Sequence, residues 1–209
     1  NIMHNYQEIF EKKGYVFVKD FIPEDVAKYL FEYLKFSSHA LTLSSNPTSA
    51  TTPISRVAGD EQVPGSFAPR HGDMAMLALL KQMRPTMEII TGLDLCPTYT
   101  YVRLYREGNI LKKHKDRSSC EISVTVKLSS NKDDYHWPIY MEGNKFILKD
   151  GDAVIYRGCD YEHWREPCEG GENYRSGQVF LHYIDKNGPH YPEWAYDKYP
   201  LAKLFESEL

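Results

Sequence analysis

Cysteine is scarce in this chain, and basic charge is concentrated nowhere along it. Cys96, Cys120, Cys159 and Cys168 stand apart with no Cys-x-x-Cys pair. That spacing indicates neither a disulfide scaffold nor a zinc ribbon, and it predicts buried or partly buried thiols in a reducing compartment. Lys and Arg form no run longer than two, the formal net charge is −4 and the pI is near 6.1. Without a basic stripe to neutralise a phosphate backbone, nucleic acid is not expected as a partner. No apolar run approaches the roughly 20 residues of a membrane span, and the first residues lack the charged-then-apolar profile of a signal peptide. A soluble, cytoplasmic protein is the expectation. What the chain does have is 42% hydrophobic and 13% aromatic residues over a length of 209. That is enough for one full core and too short for two ordinary domains without a visible linker, so a single domain over 1–209 is expected.

The first half reads as helical. Tyr6, Ile9 and Phe10 recur at helical spacing between Asn5 and Lys13, with Gly14 as the stop, and Tyr15 to Phe21 reads as a strand. Pro23-Glu24-Asp25 puts a proline and two carboxylates in the first turn of a helix expected to run to about Phe36. Ser37 to Arg70, rich in Ser, Thr, Pro and Gly, reads as a long lid-like loop with one short ordered piece near Ile54 to Val57. A further helix is expected from Asp73 to about Thr91, bent or broken at Pro85 and stopped by Gly92.

From there the periodicity changes to two. Thr98–Arg106 and Glu121–Ser129 alternate apolar and polar residues, and shorter runs follow at 139–141, 145–148, 153–156 and 178–184, separated by Gly- and Asn-containing turns. The expected fold is mainly β with flanking helices, a jelly-roll barrel over 96–185 with 1–95 packed outside it and 186–209 wrapping it.

The chemistry sits in His114-Lys115-Asp116 and, about fifty residues later, His163. On an extended strand, residues two apart share a face, so His114 and Asp116 can hold one metal together while Lys115 points away. Two imidazoles and one carboxylate leave the opposite face of the metal open, a set suited to non-haem Fe(II) that activates dioxygen. His71-Gly72-Asp73 has the same spacing, but Asp73 is well placed to cap the following helix. His136 in a polar turn and His182 inside a strand are weaker third ligands, His182 having an expected core role.

The ordered set resembles the Fe(II)/2-oxoglutarate-dependent dioxygenases, in the branch of the prolyl 4-hydroxylases. Tyr105-Arg106-Glu107-Gly108-Asn109 through His114-Lys115-Asp116 looks like the family's tyrosine, glycine turn and His-x-Asp. Gly151-Asp152-Ala153 through His163-Trp164-Arg165 looks like the strand carrying the distal histidine, and Gln178 to Tyr183 like the last strand. The resemblance implies a double-stranded β-helix, with His114, Asp116 and His163 holding Fe(II), 2-oxoglutarate as cosubstrate, and dioxygen. It also implies a tyrosine, here Tyr105, lining the cosubstrate pocket, and a basic residue for the far carboxylate. Here the chain departs from the pattern: Arg165, two residues after His163, Arg175 near the start of the last strand, and Lys127 on the strand after the His-x-Asp all qualify. The implied activity is hydroxylation of a protein side chain or small molecule, with decarboxylation of 2-oxoglutarate to succinate. Two rivals are a nucleic-acid demethylase of the same chemistry, disfavoured by the acidic charge, and a jelly-roll binding module whose histidines hold structural zinc, with Cys120 or Cys159 in reach, or no metal.

Overall fold

Two antiparallel sheets form the body of the chain, in a computed structural model that describes residues 2–43, 61–68, 73–199 and 205–206. Three helices, α1 (Ile2–Lys13), α2 (Glu24–Leu43) and α3 (Met74–Thr91), alternate with strand β1 (Tyr15–Val18) in the first half. The second half supplies β2 (Leu95–Arg106), β3 (Leu111–His114), β4 (Ile122–Ser130), β5 (Ile139–Met141), β6 (Asn144–Phe146), β7 (Ala153–Arg157), β8 (His163–Arg165) and β9 (Arg175–Asp185). The larger sheet has the order β1-β7-β4-β9-β2 and the smaller one β3-β8-β5-β6. Among the described residues no strand pair joins the two, so the jelly roll is a pair of sheets rather than a hydrogen-bonded closed cylinder. β1 belongs to the larger sheet through Tyr15↔Tyr156, so the N-terminal segment contributes a strand as well as helices.

Alternation along the central strands separates two environments. Val124, Val126 and Leu128 of β4, with Val179, Leu181 and Tyr183 of β9, join the core built with Phe31 and Leu34 of α2 and Leu80 and Met87 of α3. At Gly177 an added Cβ would stand 2.8 Å from Phe31 Cδ2, so the absence of a side chain lets α2 lie close on the sheet. The opposite face of the same strands carries Ser123, Thr125 and Lys127 of β4 and Gln178, Phe180 and His182 of β9. These are buried too and mostly polar, and they share the space between the sheets with smaller apolar clusters around Tyr105, Trp137 and Phe180 and around Ile139, Met141, Val154 and Tyr156.

The helices depart from expectation in two places. α2 continues to Leu43 instead of ending near Phe36. Ser37 does not stop it because its hydroxyl donates back to the Tyr33 carbonyl at 2.9 Å, four residues earlier, which satisfies the serine within the helix. α3 runs through Pro85, which stands on the exposed face, where a carbonyl deprived of its donor can turn to water. Its ends follow the expectation: Asp73 accepts from the Met76 amide at 3.1 Å, and Gly92 closes the helix at φ 72°. The Tyr33 hydroxyl also donates to Asp73. Burial first, then that carboxylate, pushes the Tyr33 phenol up to about 12.

Candidate metal centre

The smaller sheet aligns the two histidines. β3 and β8 are antiparallel with His114 directly opposite His163, so both imidazoles leave neighbouring strands at one level. Asp116 follows just beyond the end of β3, where its amide donates to the Gly158 carbonyl at 2.8 Å and pins the loop against the end of β7. A Cβ at Gly158 would lie 2.6 Å from Asp116 Oδ2 and 2.2 Å from the Cys120 carbonyl, so only glycine allows this approach. Lys115 is exposed, as the two-residue alternation requires.

The three side chains converge. Asp116 Oδ1 is 3.3 Å from His114 Nε2 and 3.3 Å from His163 Nε2, and the donor atoms of all three lie within 4.8 Å of one another. Each imidazole is oriented through its other nitrogen: His114 Nδ1 meets the Lys112 carbonyl at 2.7 Å and His163 Nδ1 the Tyr161 carbonyl at 3.1 Å. A carbonyl can only accept, so both neutral rings carry the proton on Nδ1 and offer the Nε2 lone pair to the centre, the arrangement that metal-binding histidines adopt. Bonds of about 2.0–2.2 Å to three ligands at right angles leave edges near 3 Å, which suits this spacing. Asp116 Oδ2, the oxygen turned away from the two Nε2 atoms, is buried with no hydrogen-bond partner, so the carboxylate has acceptor capacity that a cation could use. Burial opposes the charge of Asp116, but the two imidazoles outweigh it and hold the carboxyl well below its usual range. His114 shows the complementary shift: burial lowers its basicity, and Asp116 with the Lys112 carbonyl raises it above the ordinary value.

The triad opens into a cavity of about 680 Å³ between the sheets, walled by Tyr99, Tyr101, Tyr156 and Phe180, with Arg103 and Gln62 on one side. His182 also lines it. Ser123 uses its single hydroxyl proton on the Cys120 carbonyl at 2.9 Å, so at 2.7 Å from His182 Nδ1 the serine oxygen accepts. Burial drives the His182 pKa down to about 4, which keeps this ring neutral. Cys120 and His182 form a second potential metal group with Asp116, and the Cys120 sulfur lies 3.1 Å from the Tyr99 hydroxyl. Of the other sequence candidates, His136 is exposed and stands apart from the cavity, and His71 lies outside the described residues. The carboxylate of that second His-x-Asp pair caps α3.

The three basic candidates have different surroundings. Arg165 is wholly buried; its Nη1 donates to the Trp137 carbonyl at 3.1 Å, while Nε and Nη2 have no partner. Its guanidinium carbon is 5.0 Å from the centre of the Trp137 ring and 5.8 Å from that of Tyr105. Burial lowers its pKa, but a guanidinium stays charged in any protein. Arg175 instead turns to backbone carbonyls of Tyr174, at 2.7 Å, and Glu172, at 3.3 Å. Lys127 lies 3.4 Å from Asp150. Tyr105 is fully buried and accepts from Arg103 Nη1 at 2.9 Å.

Sequence reasoning passed over Arg103, Gln62 and the inward face of His182. Arg103 was within reach, since it stands two residues from Tyr105 on one strand and therefore shares its face. The alternation Gln178, Phe180, His182 likewise marks one face of β9. Gln62, on an irregular segment, carries no such signal.

Neither a protein-family model nor a curated protein sequence matches the chain. Solved structures do. A Pseudomonas putida prolyl-4-hydroxylase aligns over 86% of this chain and 97% of its own at 16% identity and a TM-score of 0.59. A prolyl hydroxylase from Trichoplax adhaerens, in complex with a peptide fragment of hypoxia inducible factor, aligns over 88% and 90% at 12% identity and a TM-score of 0.60. The epimerase SnoN, in complex with Fe3+, alpha ketoglutarate and nogalamycin RO, aligns over 95% and 90% at 14% identity and a TM-score of 0.63. With its two sheets and external helices, the chain thus has the fold of the 2-oxoglutarate/iron oxygenases, the prolyl hydroxylases among them.

Proposed function

We propose that residues 1–209 act as one Fe(II)- and 2-oxoglutarate-dependent dioxygenase domain that hydroxylates a protein side chain or a small molecule. The observation that carries this is the convergence of His114 Nε2, Asp116 Oδ1 and His163 Nε2 on the wall of the cavity, with both rings oriented in the ligating tautomer. Iron and 2-oxoglutarate, when bound, supply an oxidation by dioxygen in which 2-oxoglutarate becomes succinate and CO2 while a substrate C–H bond becomes C–OH. His114, Asp116 and His163 are the proposed ligands. The protein's remaining work is to orient and to exclude water, and no side chain has to act as general base.

Arg165 is the proposed partner for the far carboxylate of 2-oxoglutarate. A buried guanidinium with two unsatisfied N–H-bearing nitrogens is costly unless an anion meets it, and a dicarboxylate end-on between the sheets meets that need. Thr125 Oγ1 and Gln178 Oε1, on strand faces turned to the same interior, are also buried without partners. Tyr105 accepts from Arg103, so its own proton remains to be donated. Arg175 and Lys127 are satisfied elsewhere and are not assigned this role. Both substrate classes have precedent in the fold, in the peptide bound by the Trichoplax enzyme and the small molecule bound by SnoN.

Anaerobic titration with Fe(II) and 2-oxoglutarate tests the reading, because bidentate chelation produces a weak visible charge-transfer band. Succinate release on aeration, screened across peptides and metabolites, then identifies the substrate. The rival is a binding module with structural zinc, for which Cys120 is in reach of Asp116 and His182. No band, together with tightly retained zinc, would overturn the oxygenase reading.

A further inference from the structure

Among the described residues, Gln62 is the polar side chain outside the triad that hydrogen-bonds a proposed ligand nitrogen. Its amide nitrogen lies 3.0 Å from His114 Nε2, and its amide oxygen lies 3.0 Å from Arg103 Nη2. The orientation of that amide is dictated by chemistry: arginine can only donate, so the oxygen must face Arg103 and the NH2 group must face His114. With the His114 proton held on Nδ1 by the Lys112 carbonyl, the Gln62 N–H donates into the same Nε2 lone pair that a metal ion would use. The segment carrying Gln62 is anchored. Phe67 and Leu104 exchange backbone hydrogen bonds at 2.8 and 3.0 Å, Val63 is fully buried, and Asn109 Nδ2 donates to the Pro64 carbonyl at 3.3 Å. Gln62 itself is exposed.

We infer that Gln62 is a gate on the metal centre: its amide holds His114 until a metal ion displaces it, after which the amide, still tied to Arg103, faces the cavity as a hydrogen-bond donor. The lone pair cannot serve both partners, so each ion bound costs the Gln62–His114 bond, and the affinity of the centre is set partly from residues 61–68. The tie to Arg103 keeps the released donor beside the cavity instead of letting it swing into solvent. Gln62 would act as a positioning residue, touching the ligand rather than the reacting atoms.

This rests on the proposed His114, Asp116 and His163 ligand set, and the experiment separates the two. Co(II) affinity is measured at pH 8 by competition with a chromophoric chelator, for the wild type and for Gln62→Leu, Gln62→Asn and His114→Ala. A hydrogen bond of ordinary strength, lost on binding in the wild type alone, predicts about two- to tenfold tighter Co(II) in Gln62→Leu. Asparagine is too short to span from Arg103 to His114 and should behave as leucine does. A second readout uses zinc as a diamagnetic probe: the side-chain amide NMR signals missing from Gln62→Leu should shift when zinc is added to the wild type and stay in place in His114→Ala. Unchanged or weaker Co(II) binding in both Gln62 variants, with His114→Ala severely impaired, overturns the gate and leaves the ligand set standing. Full affinity in His114→Ala would overturn the ligand set, and the gate with it.

Discussion

Arg165→Met separates a functional cation from a structural one. The substitution keeps an unbranched apolar stem of similar reach and removes the guanidinium, of which Nη1 donates to the Trp137 carbonyl while Nε and Nη2 are buried without partners. In the absence of ligand the side chain is a charge held out of water with one hydrogen bond and the nearby Trp137 and Tyr105 rings in return. Replacing such a group by a packed hydrophobe is neutral or stabilising by about 1–4 kcal/mol, against about 1 kcal/mol for the donor lost by the Trp137 carbonyl. The melting temperature without cosubstrate should therefore hold or rise. For 2-oxoglutarate the sign reverses. A charge-assisted bond to its far carboxylate, if Arg165 has the proposed role, would contribute about 3 kcal/mol, so the Kd should weaken by roughly 100-fold. The assays are calorimetric unfolding of the apo protein and anaerobic 2-oxoglutarate titration of the Fe(II)-loaded protein. Unchanged 2-oxoglutarate affinity, or a fall of several degrees in the apo melting temperature with normal binding, would refute the assignment and make Arg165 a structural cation. Arg175→Ala is the matched comparison and should leave the Kd unchanged.

Other outcomes can be set out beside this one. His163→Ala should weaken metal binding by more than the 10–100-fold typical of an orienting partner and abolish 2-oxoglutarate turnover with the circular dichroism spectrum retained, whereas His71→Ala should leave both intact. Gly158→Ala would place a methyl group 2.2 Å from the Cys120 carbonyl and 2.6 Å from Asp116 Oδ2, so a loss of about 3 kcal/mol in urea unfolding should come with weakened metal binding. His182, with its pKa lowered to about 4 in the folded state by burial, takes up a proton more readily when unfolded. Stability should therefore fall as pH drops from 6.5 towards 4, by up to about 3 kcal/mol from this group, and level off below. In His182→Asn that part of the pH dependence should vanish from denaturation curves measured at pH 4.5 and 7.5.

How much of this was legible beforehand depends on the range of the interaction that decides each feature. The two-residue spacing of His114 and Asp116 is local, and the structure brings the imidazole and the carboxylate to within 3.3 Å with Asp116 just beyond the end of β3. Asp73 as a cap and Gly92 as a stop are equally local, and both are found where expected. The sequence predicts α2 only to about Phe36 because Ser37 is a loop-forming residue type, whereas its hydroxyl bonds the Tyr33 carbonyl of its own helix, which runs to Leu43. The choice among Arg165, Arg175 and Lys127 could not be made by spacing, since it rests on the Trp137 carbonyl, the Tyr174 carbonyl and Asp150, partners that only the assembled fold supplies. Gln62 reaches His114 across more than fifty intervening positions, and no local pattern encodes that meeting.

The pairing of His114 with His163 has a consequence for how the molecule opens. The smaller sheet is made of strands of four, three, three and three residues, against twelve, nine and eleven for β2, β4 and β9. Short ladders give way first, so amide hydrogen exchange should find β3 and β8 in the least protected cooperative unit and β4 and β9 in the most protected. A metal ion bound across His114 and His163 would clasp the two ends of a loop of about fifty residues at that weakest seam. At a free concentration 100 times its Kd it would add about 2.7 kcal/mol against opening there. The ion would then act as a fastener for the smaller sheet as well as a reagent, and metal loss would mark the molecule for proteolysis at the site itself.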